Sequence, residues 1–600
     1  MTFRATATLL GVAILVIAAP AAASSDVTPL RVITVSSISA LQSAADAAAP
    51  GDRIELTDGT YTTSGSITLR RSGTAGAPIT VAAQHLGRAE IRGSSGFAFA
   101  NSDFVVVEGF RLTHSGGTTI PAGSEHVRFT RNLLQLGAMN WLTVTANDTE
   151  VDHNTFQNKS TEGVFLQVSG AGANDMAQRT WIHHNYFFNH SFTGANGGES
   201  IRVGLSFRQA ASARSLIEFN LFERTNGDPE TISVKSSDNT VRFNTIRNST
   251  GSIVLRHGNR NLVEGNLMLG STAGIRFYDN DHVIINNVIQ GGTGQIIVGS
   301  GTVADDTTGS TAHARADRAL VAFNTLVNNR TNLIDIGPGA DQFGPNDCTF
   351  ANNILVGGGS GGLVNINNGG NLHWQGNIVF AGTGGEMPAS GFRSVNPLLV
   401  TDSGLNRLSS GSPAINTATG SFPQVTRDLD LQTRSGTKDV GADEFVAGGT
   451  NRRPLTTADV GPNAGVQPPP SGSVLEAESA TIFHGVVESN HTGFTGSGFV
   501  NNTNEIGSFV EWAVSSPTAG STTAVIRFAN GTTVDRPMDI TVNGVIVASG
   551  RSFPGNSNWD SWQTSTLTVT LTAGSNTIRA TGSTANGGPN LDNLEVTNPA

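Results

Sequence analysis

Lysine occurs at only three positions, 159, 235 and 438, in a chain of 600 residues. Lys235 lies in ISVKSS, and Arg256 lies 21 residues later in IVLRHG. Side chains alternate faces along a strand. If Ile232 and Val234 point into a core, Ser233 and Lys235 point out; if Ile253 and Leu255 point in, Arg256 points out. Were 21 residues one coil of a stack, with neighbours ~4.8 Å apart, Lys235 and Arg256 would stand side by side. The next phrase, GIRFYDN, would add Arg276 and Tyr278 to that face. Upstream, NGDPETISVK carries Asp228 and Glu230, and NGGES carries Asn196 and Glu199. Aligning Ile201 with Ile232 sets Glu199 beside Glu230 and Asn196 next to Gly227. Such a gathering of hard oxygen ligands suits Ca²⁺.

A base, an arginine and a cation site together fit β-elimination from a uronate. The C5 proton is weakly acidic, and a cation on the C6 carboxylate stabilises the enolate-like charge left behind. The lysine must be neutral to accept that proton, a form that nearby positive charge favours. Arg256 is placed to protonate the leaving O4 directly or through water, although arginine alone is a poor acid. Glycoside hydrolysis normally needs a pair of catalytic carboxylates, and here the acidic residues cluster as metal ligands. A non-catalytic binding solenoid is the rival from another class, but a binder has no need of a base beside a metal.

The elements that must position these groups announce themselves as a repeat. Two or three β-favouring residues, then Asn, then one or two apolar residues recur with Asn132, Asn154, Asn185, Asn220, Asn244, Asn266, Asn287, Asn324, Asn353 and Asn377. The spacings are 22, 31, 35, 24, 22, 21, 37, 29 and 24. The short ones read as one coil and the long ones as a coil plus an inserted loop. A period near 22 without helical periodicity predicts an all-β right-handed parallel β-helix, each coil burying its apolar residues against the next. The Asn would occupy a left-handed turn position, and the stacked side chains would bond along the solenoid. ISALQSAADAAAPGDRIELTDGTY reads as a capping helix, a turn at Pro50-Gly51-Asp52 and the first coil. Closure is expected near GTKDVGADEF, ending at Phe445.

Residues 446–473, with Arg452-Arg453-Pro454 and Pro468-Pro469-Pro470, read as a linker after a solenoid over 24–445. From Val474 to Ala600, alternating runs such as SFVEWAV, TAVIRFA, MDITVNGVIVA and STLTVTLTAG predict a β-sandwich. The 72 Gly and 14% charged residues suit a turn-rich β protein. A net charge of −11 shows no nucleic-acid footprint, so a polyanion would need a local basic groove. Arg4, the apolar run Leu9 to Ile17 and Ala21-Ala22-Ala23 read as a signal peptide over 1–23. No later segment reaches ~18 apolar residues, so a secreted, extracellular monomer without membrane contact is expected. Cys348 is the only cysteine, which excludes an intrachain disulfide and suits a small core residue.

At NGGES, the acidic phrase ending in Lys235, and RHG at 256–258, the chain resembles polysaccharide lyase family six, which holds alginate lyases and dermatan-cleaving chondroitinase B. The resemblance spans roughly residues 30–445. It implies Lys235 as Brønsted base, Arg256 as Brønsted acid, and Asn196, Asp228 and Glu230 as Ca²⁺ ligands. Asp228 is shorter than the Glu usual in the family, which would alter the calcium position or affinity. Alginate is the expected anionic uronate polymer, with dermatan sulfate and pectate as alternatives. His257, Arg276 and Tyr278 are candidate substrate contacts, Arg276 suiting a second uronate carboxylate. The C-terminal phrases LEAESA, FTGSGFVN, RFANGT, NWDSWQT, LTAGSNTI and GPNLDNLEV resemble carbohydrate-binding modules of families six and thirty-five. That resemblance implies a structural calcium on Glu476, Glu478 and Asp592, and sugar contacts from Trp559 and Asn590.

Overall fold

A computed structural model describes residues 29–464 and 474–597, apart from Thr193, Asn329, Ala340 and Thr450. The expected leader and Pro468-Pro469-Pro470 lie outside the described residues. The described residues divide into two compact units, one running to Leu455 with Val460–Pro462, the other formed by Thr456–Asp459 and the residues from Asn463 onward.

The first unit is a parallel β-helix. Its strands form two 14-stranded sheets and one 10-stranded sheet, each strand pairing with the strand one coil away. In the 10-stranded sheet Ile201, Ile232, Ile253, Ile275 and Ile296 stack in register, and all are buried in one core. The apolar-in, polar-out alternation read from the sequence thus sets which side chains face outward along this sheet.

All ten repeat asparagines form one internal ladder. Each side-chain amide donates to the Oδ1 of the next at 3.0–3.1 Å, from Asn132 through to Asn377. From Asn154 onward each Oδ1 also accepts the backbone N–H of the Asn one coil before it, as Asn244 does from Asn220 at 3.0 Å, and Asn132 accepts from Phe110. The left-handed position is not the Asn itself, as expected from sequence, but the residue before it: Arg131, His153, His184, Phe219, Phe243, Asn286, Phe323 and Asn352 have φ of 52–58°, and Gly265 and Gly376 have 61° and 67°. The amide network holds bulky residues in this strained region, and their rings then stack: His153 on His184 at 5.0 Å, His184 on Phe219 at 5.4 Å, Phe219 on Phe243 at 5.4 Å.

A second buried ladder runs through Ser215, Asn239, Asn261 and His282. Burial pushes the His282 imidazole down to about 4. The unfolded chain therefore binds a proton below about 6.5 that the folded chain refuses. Stability from this group is present above that pH and is lost as the pH falls toward 4. The stability of the native chain relative to His282→Asn is expected to drop by about 1.4 kcal/mol per pH unit over this window. Urea midpoints of the two proteins measured from pH 7 to 4 check this; parallel curves would reject it.

The cap is as expected, with one addition. The helix Ile38–Asp46 starts at Ser37, whose side chain accepts the Ala40 N–H at 3.2 Å, and it buries Leu41 and Ala45 over the end of the core. A strand before it, Arg31–Val35, pairs in parallel with Asp52–Leu56, so the first coil begins ahead of the helix. At the other end the coils stop at Phe392–Ser394, not near Phe445. The chain then forms an antiparallel hairpin, Leu399–Asp402 with Leu405–Leu408, and straps the outside of the solenoid. Leu405, Leu429 and Ala442 cover Leu267 and Val288, while Phe422 and Val425 cover Ile285 and Phe323. Part of the segment read as linker continues this strap: Arg452 donates to the Gly265 carbonyl at 2.7 Å and lies over the Phe243 ring.

The second unit has two antiparallel sheets around Trp512, Ile526, Phe528, Ile540 and Phe553. The alternating runs fall on its strands Phe509–Ser516, Gly520–Ala529, Met538–Val542, Val545–Arg551 and Gln563–Leu571, which makes it a β-sandwich.

Candidate active site

Lys235 ends the strand Glu230–Lys235 of the 10-stranded sheet, between Ile201–Gly204 and Ser252–His257. Toward the earlier coil it lies opposite Gly204. Gly204 has φ +86°, and a Cβ there would lie 2.5 Å from the Lys235 carbonyl oxygen, so this close approach requires glycine. Toward the later coil the register shifts. Val234 pairs with Leu255, but Lys235 pairs with His257, leaving Arg256 as the extra residue of a β-bulge. The simple alignment of Lys235 with Arg256 is therefore corrected by one residue.

The two side chains still serve one face. Lys235 Nζ lies 3.2 Å from Glu199 Oε1. Arg256 Nη1 and Arg276 Nη2 lie 3.0 and 2.7 Å from the same oxygen of Glu230, whose other oxygen accepts from Ser233 Oγ at 2.5 Å. Arg202, outward one coil before Ser233, lies 3.5 Å from Glu199 Oε2 and donates to Gln167 Oε1 at 2.9 Å. Cations outnumber anions on this face, which suits a polyanion despite the acidic chain.

His257 is buried, and the bulge brings it beside Lys235. Its ring stacks on His313 at 4.5 Å, and Nδ1 lies 3.2 Å from Gln209 Oε1. Burial, with the charges of the His313, Arg256 and Lys235 neighbours, pushes it down to about 3, so it stays neutral. Tyr278 is half-buried, with Arg276 over its ring at 5.9 Å and His313 tilted against it at 4.5 Å. Arg202, Gln209 and His313 fall outside the sequence expectations. The column rule that found Arg276 would also have found Arg202, since both lie in one outward column that runs through Ser233 and Val254. Gln209 follows the short turn Ser206–Arg208, and His313 lies in the insertion behind the 37-residue spacing, where no repeat guides the eye.

Of the expected calcium ligands, Asp228 and Glu230 are buried and Asn196 is exposed on its loop. Gly198, not Asn196, meets Gly227, the reason being that a backbone this close leaves no room for a side chain there. Asp228 Oδ2 instead accepts the Gly198 N–H at 3.3 Å. Burial and then the Glu199 charge push the Asp228 carboxyl up to about 6, with Glu230 adding to the same effect. Crowded carboxylates, and a buried Glu199 oxygen, Oε2, that has Arg202 at 3.5 Å but no hydrogen-bond donor among the described residues, fit a hard cation, with Glu199 joining Asp228 and Glu230. Among the described residues these three do not form a group whose ligand atoms all lie within 4.8 Å of one another; Glu150–Asp152–His183 and Asp428–Asp430–Asp443 do.

In the second unit Glu476, Glu478 and Asp592 gather around Thr495–Ser497. Thr495 donates through Oγ1 to Glu476 at 2.8 Å and through its N–H to Asp592 at 2.9 Å, and the Ser497 N–H donates to Glu478 at 2.7 Å. Burial, with Glu478 and Asp592 nearby, raises Glu476 above its ordinary value. Arg527 also pairs with Asp592. Trp559 is half-buried, under Arg536 at 5.6 Å and against His491 at 6.1 Å. Asn590 is a buried strand residue opposite Asn501.

Two family models match this chain. Residues 35–354 match the chondroitinase B family model, and residues 473–597 match that of carbohydrate binding module family 35. A point variant of the family-six alginate lyase AlyGC superposes with a TM-score of 0.57 at 26% identity, over 63% of this chain and 55% of that one. A mannuronic-acid-specific family-six lyase from human gut microbiota shares the fold at 24% identity and TM-score 0.53, over 61% of this chain and 91% of its own. An exo-beta-D-glucosaminidase from Amycolatopsis orientalis is 53% identical over 136 residues, which are 22% of this chain and 13% of that protein. The chain thus spans just over half of the alginate lyase and a small part of the glucosaminidase. With more than half of its residues in the first of these matches, the chain belongs to the chondroitinase B family of polysaccharide lyases, and it carries a family 35 carbohydrate-binding module over residues 473–597.

Proposed function

We propose that the chain is a secreted lyase that cleaves a uronic-acid polymer, alginate above all, by calcium-assisted β-elimination. The observation that carries this reading is the gathering of Lys235, Arg256 and Arg276 on one outward face around the buried carboxylates Glu199 and Glu230. The substrate assignment leans on the alginate lyase AlyGC. Asn196, Glu199, Asp228 and Glu230 would hold the calcium, which supplies positive charge to the uronate carboxylate when bound. Lys235 takes the C5 proton, the C5–H electrons form the C4–C5 double bond, and O4 leaves with a proton delivered at Arg256. Arg276 and Arg202 extend the cationic column along the sheet and orient neighbouring uronates. The module over 473–597 would keep the enzyme on its polysaccharide, with Glu476, Glu478 and Asp592 holding a structural ion.

Cleavage should release 4,5-unsaturated uronate ends, read by ultraviolet absorbance on alginate, dermatan sulfate and pectate. No signal on any of the three would sink the enzymatic reading, and the pattern among them names the polymer. Calcium removal by a chelator is expected to cut the rate about 100-fold, a few kcal/mol of transition-state charge stabilisation, with recovery on adding calcium back. The isolated module's sugar binding should fall less; equal losses would argue against a catalytic calcium.

A further inference from the structure

A further charged cluster lies on one of the 14-stranded sheets of the solenoid. Strands Glu150–Asp152 and Trp181–His183 pair in parallel, with Glu150 opposite Trp181 and Asp152 opposite His183. Val151 and Ile182 point into the core, so Glu150, Asp152 and His183 project from the outer face. They are nevertheless at least nine-tenths buried, at 5%, 0% and 5% exposure. One ligand atom from each lies within 4.8 Å of the others. We propose that Glu150, Asp152 and His183 form a second metal site, for a divalent transition ion such as Zn²⁺, separate from the lysine face.

Three observations converge on this. First, Glu150 Oε2 is buried with no hydrogen-bond partner among the described residues, although its sister oxygen lies 3.0 Å from His183 Nε2. A carboxylate left half-satisfied in a dry site is costly unless something positive fills the gap. Second, the spacing admits co-ligands. Zinc bonds of ~2.0–2.1 Å to N and O at tetrahedral angles set neighbouring ligand atoms roughly 3.3 Å apart, close to the contact between Glu150 and His183. Third, the surrounding groups do what outer partners of metal ligands do. His183 Nδ1 lies 2.8 Å from His184 Nδ1, which directs Nε2 toward Glu150. Arg128 grips Asp152 through two bonds of 2.8 Å, Thr130 Oγ1 donates to the same carboxylate at 2.8 Å, and His153 Nδ1 lies 2.7 Å from it.

Arg128 lies against both carboxylates, 3.4 Å from Glu150 and 2.8 Å from Asp152, so two acidic groups share one guanidinium and leave a negative charge for a cation to meet. The imidazole selects the metal class. Calcium prefers oxygen alone, whereas a mixed N/O set suits zinc and its neighbours. An ion here would tie together two consecutive coils.

The test uses the full chain, stripped by chelator, then equilibrated with Zn²⁺ in excess Ca²⁺ and washed. One zinc per chain is expected by atomic emission, with a raised melting temperature. His183→Gln and Glu150→Gln should each weaken zinc retention by about tenfold or more, while Glu230→Gln retains it. No zinc on the native chain, or equal retention in His183→Gln, would overturn the proposal and leave a proton-bridged ion-pair cluster. Should either variant fold poorly by circular dichroism, zinc X-ray absorption on the native chain decides. Imidazole nitrogen in the coordination shell supports the site, and a shell of oxygen alone overturns it.

Discussion

Lys235→Ala is expected to lower turnover by about 10²–10⁴-fold, the usual worth of a positioned general base, without unfolding the solenoid. The fold survives because the residue contributes little to the core. Val234 beside it is the inward residue, and the backbone pairing with Gly204 remains. Glu199 loses its nearest cation but keeps Arg202 at 3.5 Å. Lys235→Arg separates chemistry from architecture. Arginine keeps the charge opposite Glu199 but stays protonated, so a base role predicts that activity remains lost. If Lys235 serves only as an ion-pair partner, Lys235→Arg restores activity. Ultraviolet assays on both variants, with circular dichroism as the folding control, read the outcome. Substantial activity in either would reject Lys235 as the base.

Asn244→Ala is expected to destabilise the β-helix by about 3–5 kcal/mol, a large effect for one exchange. Asn244 is fully buried. Its Oδ1 accepts from the Asn220 backbone and side chain, each at 3.0 Å, and its amide donates to the Ile217 and Arg242 carbonyls and to Asn266 Oδ1, each at 3.0 Å. Alanine strands donors on one coil and acceptors on others, with no room for water to replace them. Urea unfolding followed by circular dichroism measures the loss. A loss below about 1 kcal/mol would show that the neighbouring coils relax to satisfy those groups, against a cooperative ladder.

Much of the fold was legible because it repeats. Ten Asn-centred phrases mark ten successive coils, and every one of those residues joins the ladder. What the phrases do not reveal is the division of labour within them. The left-handed residue precedes the Asn and includes Phe219, Phe243 and Phe323, types that local propensity assigns to strands. They tolerate the strain because ladder bonds from adjacent coils pin the turn. The strap after Ser394 is not legible in the sequence, since its apolar residues have no period and find partners only on the outer faces of distant strands.

The candidate site divides along the same line. Its residue types, the 21-residue interval between Lys235 and Arg256, and the outward column through Arg276 follow from strand alternation and coil length alone. The bulge that sets His257 opposite Lys235, the exposure of Asn196, the arrival of His313 from an insertion and the burial of the Glu150–Asp152–His183 cluster do not. A sequence determines which side chains a regular strand must present. Only the stacked coils decide where that strand breaks register and which remote loop closes over it, because those outcomes depend on contacts between residues that are neighbours in space and not in the chain.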